Sequence, residues 1–290
     1  MNTRNIETKN FQWTSALTFA YNKEEITKLT GTANDKVING DYTYAVGSAI
    51  NSFYHYKLDG IWQKGEEADA AVFGLKPGSI KINVPDMVRH TDTDGSVYYT
   101  KVNADGQEIR YDASNTYSVS ADDYQVLGHN SPDWTMGFQN TLTYKDFDLS
   151  IYMYMRWGQM LKYSVLTDYD PTGLNNYPTY FNVWSETNPS NDFPAMDASI
   201  KDKLSYYPGF AALSYVDGSF FKIKNITLGY TMPDKLAKKL GLGKLRVYGT
   251  ITNPFVIAKS HLLKDYDPEM NGGLNYPLTK QLVFGLNLSF

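Results

Sequence analysis

The sequence has no cysteine, which excludes disulfides, thiolate metal sites and cysteine nucleophiles together. It has no run of eighteen apolar residues, so it encodes no transmembrane helix. Charged residues make up only 20% of the chain, the net charge is −4 and no long basic stripe appears, which argues against nucleic-acid binding. His55, His90, His129 and His261 are scattered and show no metal-ligand spacing. Residues 1–9 lack the apolar stretch of a signal peptide, so the expectation is either a cytoplasmic protein or the tail of something longer.

Tyrosine is abundant: 24 Tyr stand beside 14 Phe and 5 Trp. Tyrosine has an apolar body and a polar tip, which suits membrane–water girdles and stacking on sugars or peptides. The second abundant feature is strict alternation. In the last ten residues Leu282, Phe284, Leu286, Leu288 and Phe290 oppose Gln281, Gly285, Asn287 and Ser289, with Val283 the exception, a strand with one apolar and one polar face. Phe11, Trp13, Leu17, Phe19 and Tyr21 alternate with small or polar residues in the same way, and Trp134–Tyr144 does so with Asn140 as the exception. The clearest strand sets Phe147, Leu149, Ile151, Met153, Met155 and Trp157 against Asp148, Ser150, Tyr152, Tyr154 and Arg156.

A weaker strand signal covers 44–57, where Tyr44, Val46, Ile50, Tyr54 and Tyr56 share a face with Ser48 and Ser52. In 220–231 the apolar parity switches near Asn225, which predicts a β-bulge. A short helical connection, 234–240, should end at Gly241, and 245–251 alternates again. Val97–Val102 and Gln107–Tyr111 suggest a small hairpin inside the long polar region 58–133. Seven long strands result, joined by connections that are long and short in turn. That is the pattern of extracellular loops and periplasmic turns in an antiparallel transmembrane β-barrel, and it puts the C-terminus in the periplasm. Seven is too few, and odd, for a usual closed bacterial barrel, so the expected fold is all-β, a wall segment of a larger barrel.

The blocks Tyr215–Pro233, Leu245–Tyr248, Asp265-Tyr-Asp-Pro-Glu269 and Phe284–Phe290 resemble the C-terminal third of a SusC/RagA-type TonB-dependent outer-membrane transporter. Asp59-Gly-Ile-Trp-Gln63, Lys76-Pro-Gly-Ser-Ile80, Leu127–Pro132 and Trp184 with Thr187-Asn-Pro189 extend the resemblance over nearly the whole chain. One departure is Asn253-Pro254-Phe255, where the family usually carries Asn-Leu-Phe; a proline there should locally break strand hydrogen bonding. The other is that the family's signal peptide, TonB-contacting segment, plug and first barrel strands are not in this sequence. The resemblance implies that residues 1–290 are the C-terminal portion of a plugged Gram-negative outer-membrane importer of oligosaccharides or peptides. A SusD-like surface lipoprotein would be its lid and TonB its energy source, and this portion alone would not transport. Gly285, Leu288 and Phe290 would then serve as the assembly signal.

The motifs are less specific than the pattern of blocks. Asp168-Tyr-Asp170-Pro recurs as Asp265-Tyr-Asp267-Pro in two expected external loops. Clustered carboxylates suit Ca²⁺ or sugar hydroxyls, yet turn chemistry explains most of the shared positions. Tyr152, Tyr154, Arg156 and Tyr248 face the expected lumen and would touch passing solute or simply fill the barrel. No catalytic residues or other cofactors are expected. Two readings compete with import: a soluble, carbohydrate-acting β-sandwich protein, and a structural or adhesive barrel without transport.

Overall fold

The computed structural model describes residues 1–31, 35–168, 176–197 and 209–290. They form two compact units: a wall of residues 1–23, 131–161 and 217–290, and a loop unit of residues 24–130 and 162–216.

The wall is one antiparallel sheet of seven strands in simple chain order. Its strands are β1 (Asn2–Glu7), β2 (Phe11–Tyr21), β3 (Trp134–Tyr144), β4 (Phe147–Trp157), β5 (Phe220–Thr231), β6 (Lys244–Ala258) and β7 (Gln281–Ser289). Register carries one parity across the sheet: Leu17 pairs with Phe138, Phe138 with Met153, and Met153 with Ile223. The apolar rows therefore fall on a single face, and much of that face is open, with Phe19 61%, Leu228 54%, Leu282 60% and Phe284 78% exposed. A β-sandwich would bury this face, so the soluble alternative does not describe the fold. Asn140, the polar exception in the apolar rows, accepts bonds from Trp13 Nε1 at 2.9 Å and Ser15 Oγ at 2.7 Å. Its carbonyl oxygen is thereby satisfied where water is scarce.

The parity switch near Asn225 is a bulge, for the register shifts between Ile223 and Asn225 against both neighbouring strands. On β6 the same shift takes up Asn253, at φ +51°, and Pro254. The proline thus sits where the ladder is already interrupted, and the strand continues beyond it. A helix spans Asp234–Lys239, and Gly241 follows at φ +75°.

One expected strand does not form. Residues 44–57 are not a wall strand: Gly47 at φ +86° and Asn51 at φ +56° break them into the short strands Tyr42–Ala45 and Ser52–His55 of the loop unit. The seventh wall strand is instead β1, which pairs with β2 through the tight turn at 8–10. Its sequence, Asn-Thr-Arg-Asn-Ile-Glu, has no apolar row to reveal it. The connections now read short, long, short, long, short, long in strict order. The longest of them starts and ends on neighbouring rungs, since Asn22 N–H donates to the Asp133 carbonyl at 3.0 Å.

The loop unit has its own core. A four-stranded sheet orders Gln125–His129, Ser52–His55, Tyr42–Ala45 and Lys36–Asn39, and a three-stranded sheet contains the expected hairpin as Val97–Val102 and Glu108–Tyr111. Phe53, Ile61, Trp62, Val72, Phe193 and Phe210 are almost wholly buried. Several quoted blocks meet here for structural reasons. Gly78, at φ +89°, has no room for a side chain against Trp184 and Ala195, and Trp184 Nε1 donates to Gln63 Oε1 at 3.0 Å. Elsewhere in the unit, the Asp41 carboxylate takes bonds from Lys162 at 2.7 Å and Tyr215 at 3.0 Å. His55 stacks on Tyr124 with centroids 4.6 Å apart. Burial pushes the His55 imidazole down, against the pull of Asp41.

Candidate functional site

The inner face of the wall is built from the residues that alternate with the apolar rows. Near the end that carries the long connections lies a charged cluster where β4, β5 and the 259–280 connection meet. Lys222 is almost fully buried, and its ammonium donates to Asp267 at 2.5 Å and to Glu269 at 2.8 Å. Lys224 takes the other Glu269 oxygen at 2.5 Å. A buried cation is costly unless paired and hydrogen-bonded, and two carboxylates meet that need here. Asp267 also caps the short helix Pro268–Met270 by accepting from Glu269 N–H at 3.1 Å. Burial raises the Glu269 carboxyl, but its bonds to Lys222 and Lys224 outweigh this and hold it below the usual carboxylate range.

Tyr154 and Arg156 adjoin the cluster. Lys224 Nζ lies 4.9 Å from the Tyr154 ring centroid, and the guanidinium carbon of Arg156 lies 5.8 Å from it. Arg156 Nε donates to the Tyr154 hydroxyl at 3.0 Å, and its Nη1 donates to Asn271 Oδ1 at 3.2 Å. The arrangement presents an aromatic ring, a guanidinium and an ammonium in fixed positions, which can stack on and hydrogen-bond a polar solute. Beside it lies an open pocket of about 650 Å³ lined by Phe255, His261, Asp265, Tyr266, Asp267 and Leu278, among others.

The structure therefore joins three of the residues picked out in the sequence, Tyr154, Arg156 and Asp267. Asp265, at φ +62°, lines the pocket but does not share the ion pair that Asp267 makes with Lys222. Asp168 ends a helix at Val165–Asp168 in the loop unit, and Asp170 lies outside the described residues. The carboxylates of Asp267 and Glu269 are paired with Lys222 and Lys224. Tyr152 and Tyr248 lie apart from the cluster, each with its ring over a glycine of the next strand, Gly137 and Gly285; a Cβ on Gly285 would collide with the Tyr248 ring. Next to Tyr248, Arg246 binds Asp148 through two bonds of 3.0 and 2.5 Å. Leu288 and Phe290 are exposed at the free edge of the sheet.

Lys222, Lys224 and Glu269 were not singled out from the sequence. The available signal was Lys-Ile-Lys in the polar rows of β5, combined with the acidic block Asp265–Glu269.

Comparison with known proteins bears on this wall directly. No family model matches the chain. A TonB-dependent receptor of Formosa agariphila is 30% identical over 314 residues, covering 100% of this chain and 28% of the receptor. TonB-dependent receptor SusC of Bacteroides thetaiotaomicron is 26% identical over 310 residues, covering 100% of the chain and 26% of SusC. Among solved structures, the RagAB peptide transporter aligns with a TM-score of 0.70 and 26% identity over 100% of this chain and 28% of the transporter chain. Over its whole length the chain is similar to part of TonB-dependent receptors, SusC among them. It spans about 28% of the length of the first two curated relatives. In a SusC-like receptor the seven-stranded sheet is a piece of β-barrel wall, its apolar rows outward and its charged cluster inward.

Proposed function

We propose that the chain is the C-terminal portion of the barrel of a SusC-like importer in a Gram-negative outer membrane, taking oligosaccharides or peptides inward. The observation that carries this reading is the sidedness of the sheet: exposed apolar rows on one face, and Tyr154, Arg156 and the Lys222–Asp267–Glu269–Lys224 cluster on the other. The short connections face the periplasm together with the C-terminus, and the long ones face outward. Each of the edge strands β1 and β7 has one partner, so both are open to further wall strands supplied by the rest of the receptor. Gly285, Leu288 and Phe290 form the terminal recognition strand for barrel assembly. A SusD-like lipoprotein covers the outer end and TonB supplies energy through the receptor's other parts. The likeness to a peptide transporter favours peptides as one substrate class.

Disrupting the receptor in cells should abolish uptake of one of these two substrate classes, and complementation should restore it. Complementation with the Tyr154→Ala, Arg156→Ala variant should restore assembly but only weak uptake. Undiminished growth on a full panel of oligosaccharides and peptides after disruption would favour the adhesive or structural barrel instead.

A further inference from the structure

The outward face of the wall is interrupted by a notch near its short-turn end. Leu228, Gly249 and Phe284 stand in one register row across β5, β6 and β7. Gly249 leaves the middle of that row bare, with Phe284 carbons 3.4 and 3.5 Å from the position its Cβ would take. Phe147, Tyr230, Val247 and Leu286 help complete an open apolar depression of about 530 Å³.

Just beyond it lies the 232–243 turn with its helix, Asp234–Lys239. Lys235, Lys238 and Lys239 are exposed and make no ion pair among the described residues, against a single aspartate in the helix. This is a local excess of positive charge on a chain whose net charge is −4. Leu236 and Leu240 are four apart, share one flank of the turn and are 48% and 63% exposed. Apolar and basic groups side by side at the end of a lipid-facing wall match the two halves of an anionic lipid. Gly249 is five residues along the strand from Lys244, about 17 Å at the usual strand rise, a span that an acyl chain covers.

We propose that the notch and the lysine-bearing turn together hold an anionic phospholipid, with an acyl chain across Gly249 and the phosphate among Lys235, Lys238 and Lys239. The occupant is argued from the charge of the turn and from the continuity of the notch with the lipid-facing rows. Assignment to the periplasmic leaflet rests on the orientation proposed above.

The test uses the assembled receptor, purified in mild detergent and exchanged into nanodiscs of phosphatidylethanolamine with or without phosphatidylglycerol. Native mass spectrometry reads the lipid retained. The wild type should retain phosphatidylglycerol preferentially, and Lys235→Glu, Lys238→Glu, Lys239→Glu together should lower that preference by at least about tenfold. Gly249→Leu should fill the notch and reduce retention of both lipids. No preference in the wild type, or the same preference in the charge-reversed variant, overturns the proposal. So does a turn whose lysines are needed to capture a periplasmic protein but not lipid. Orientation is tested separately with Lys238→Cys in this cysteine-free chain. A membrane-impermeant maleimide should label it only after the outer membrane is permeabilised; labelling in intact cells would reverse the orientation and leave the lipid site standing.

Discussion

Phe193 and Phe284 are the same side chain under opposite rules. In the loop unit Phe193 is fully buried and stacks on Phe181 with centroids 4.0 Å apart. In the wall Phe284 is 78% exposed, while Lys222 is only 1% exposed, close to the wholly buried Phe220. The loop unit follows the usual partition of apolar groups away from water. The apolar rows of the wall invert it, as expected of a barrel face turned toward lipid, while its polar face pairs charge. The contrast lies in the apolar rows, which the loop unit packs away and the wall leaves open.

The largest expected break in that comparison is Phe193→Ala, which should destabilise the loop unit by about 3–5 kcal/mol through loss of a large buried ring. Phe284→Ala in the wall should leave the loop unit untouched, and limited proteolysis of the assembled receptor separates the two. Next is Lys222→Ala, which leaves Asp267 and part of Glu269 unpaired in a buried site and should cost about 3–5 kcal/mol. Denaturant unfolding in detergent measures it, and a cost near zero would mean that the cluster is solvated.

Met153→Arg places a charge in the middle of an outward row and should cost about 2–4 kcal/mol, lowering the amount assembled in the membrane. Tyr154→Arg, one residue along on the inner face, should assemble. The reverse outcome would mean that the faces are assigned backwards. The smallest effect is on pH. Glu269 is held below its ordinary value, so its contribution is complete above the free glutamate range, near 4.3, and is lost as pH falls through the folded value. Protease sensitivity of 259–280 should therefore stay flat from neutral pH to about 4.5 and rise only below that; a rise near pH 6 would point to a different group.

The wall was legible because alternation survives wherever one face is uniformly apolar, and even its bulge could be read from the parity switch near Asn225. β1 was not, since pairing with β2 does not require an apolar row. Residues 44–57 misled because alternation tolerates a Gly and an Asn that the backbone uses as turns. In the candidate site, facing identified Tyr154 and Arg156. The pairing of Lys222 with Asp267 and Glu269 joins residues more than forty positions apart, and no local pattern encodes which loop folds back onto which strand.

The bond from Asn22 to Asp133 has a consequence for how such a protein diversifies. Everything between these residues hangs from one rung of the ladder, as 158–219 does from the rungs where Gly218 N–H meets the Gln159 carbonyl at 2.8 Å. The entropy of closing a connection grows only with the logarithm of its length. The wall is therefore nearly indifferent to what is hung there. Whole modules can be exchanged, lengthened or redesigned between fixed attachment points on a frame that stays the same.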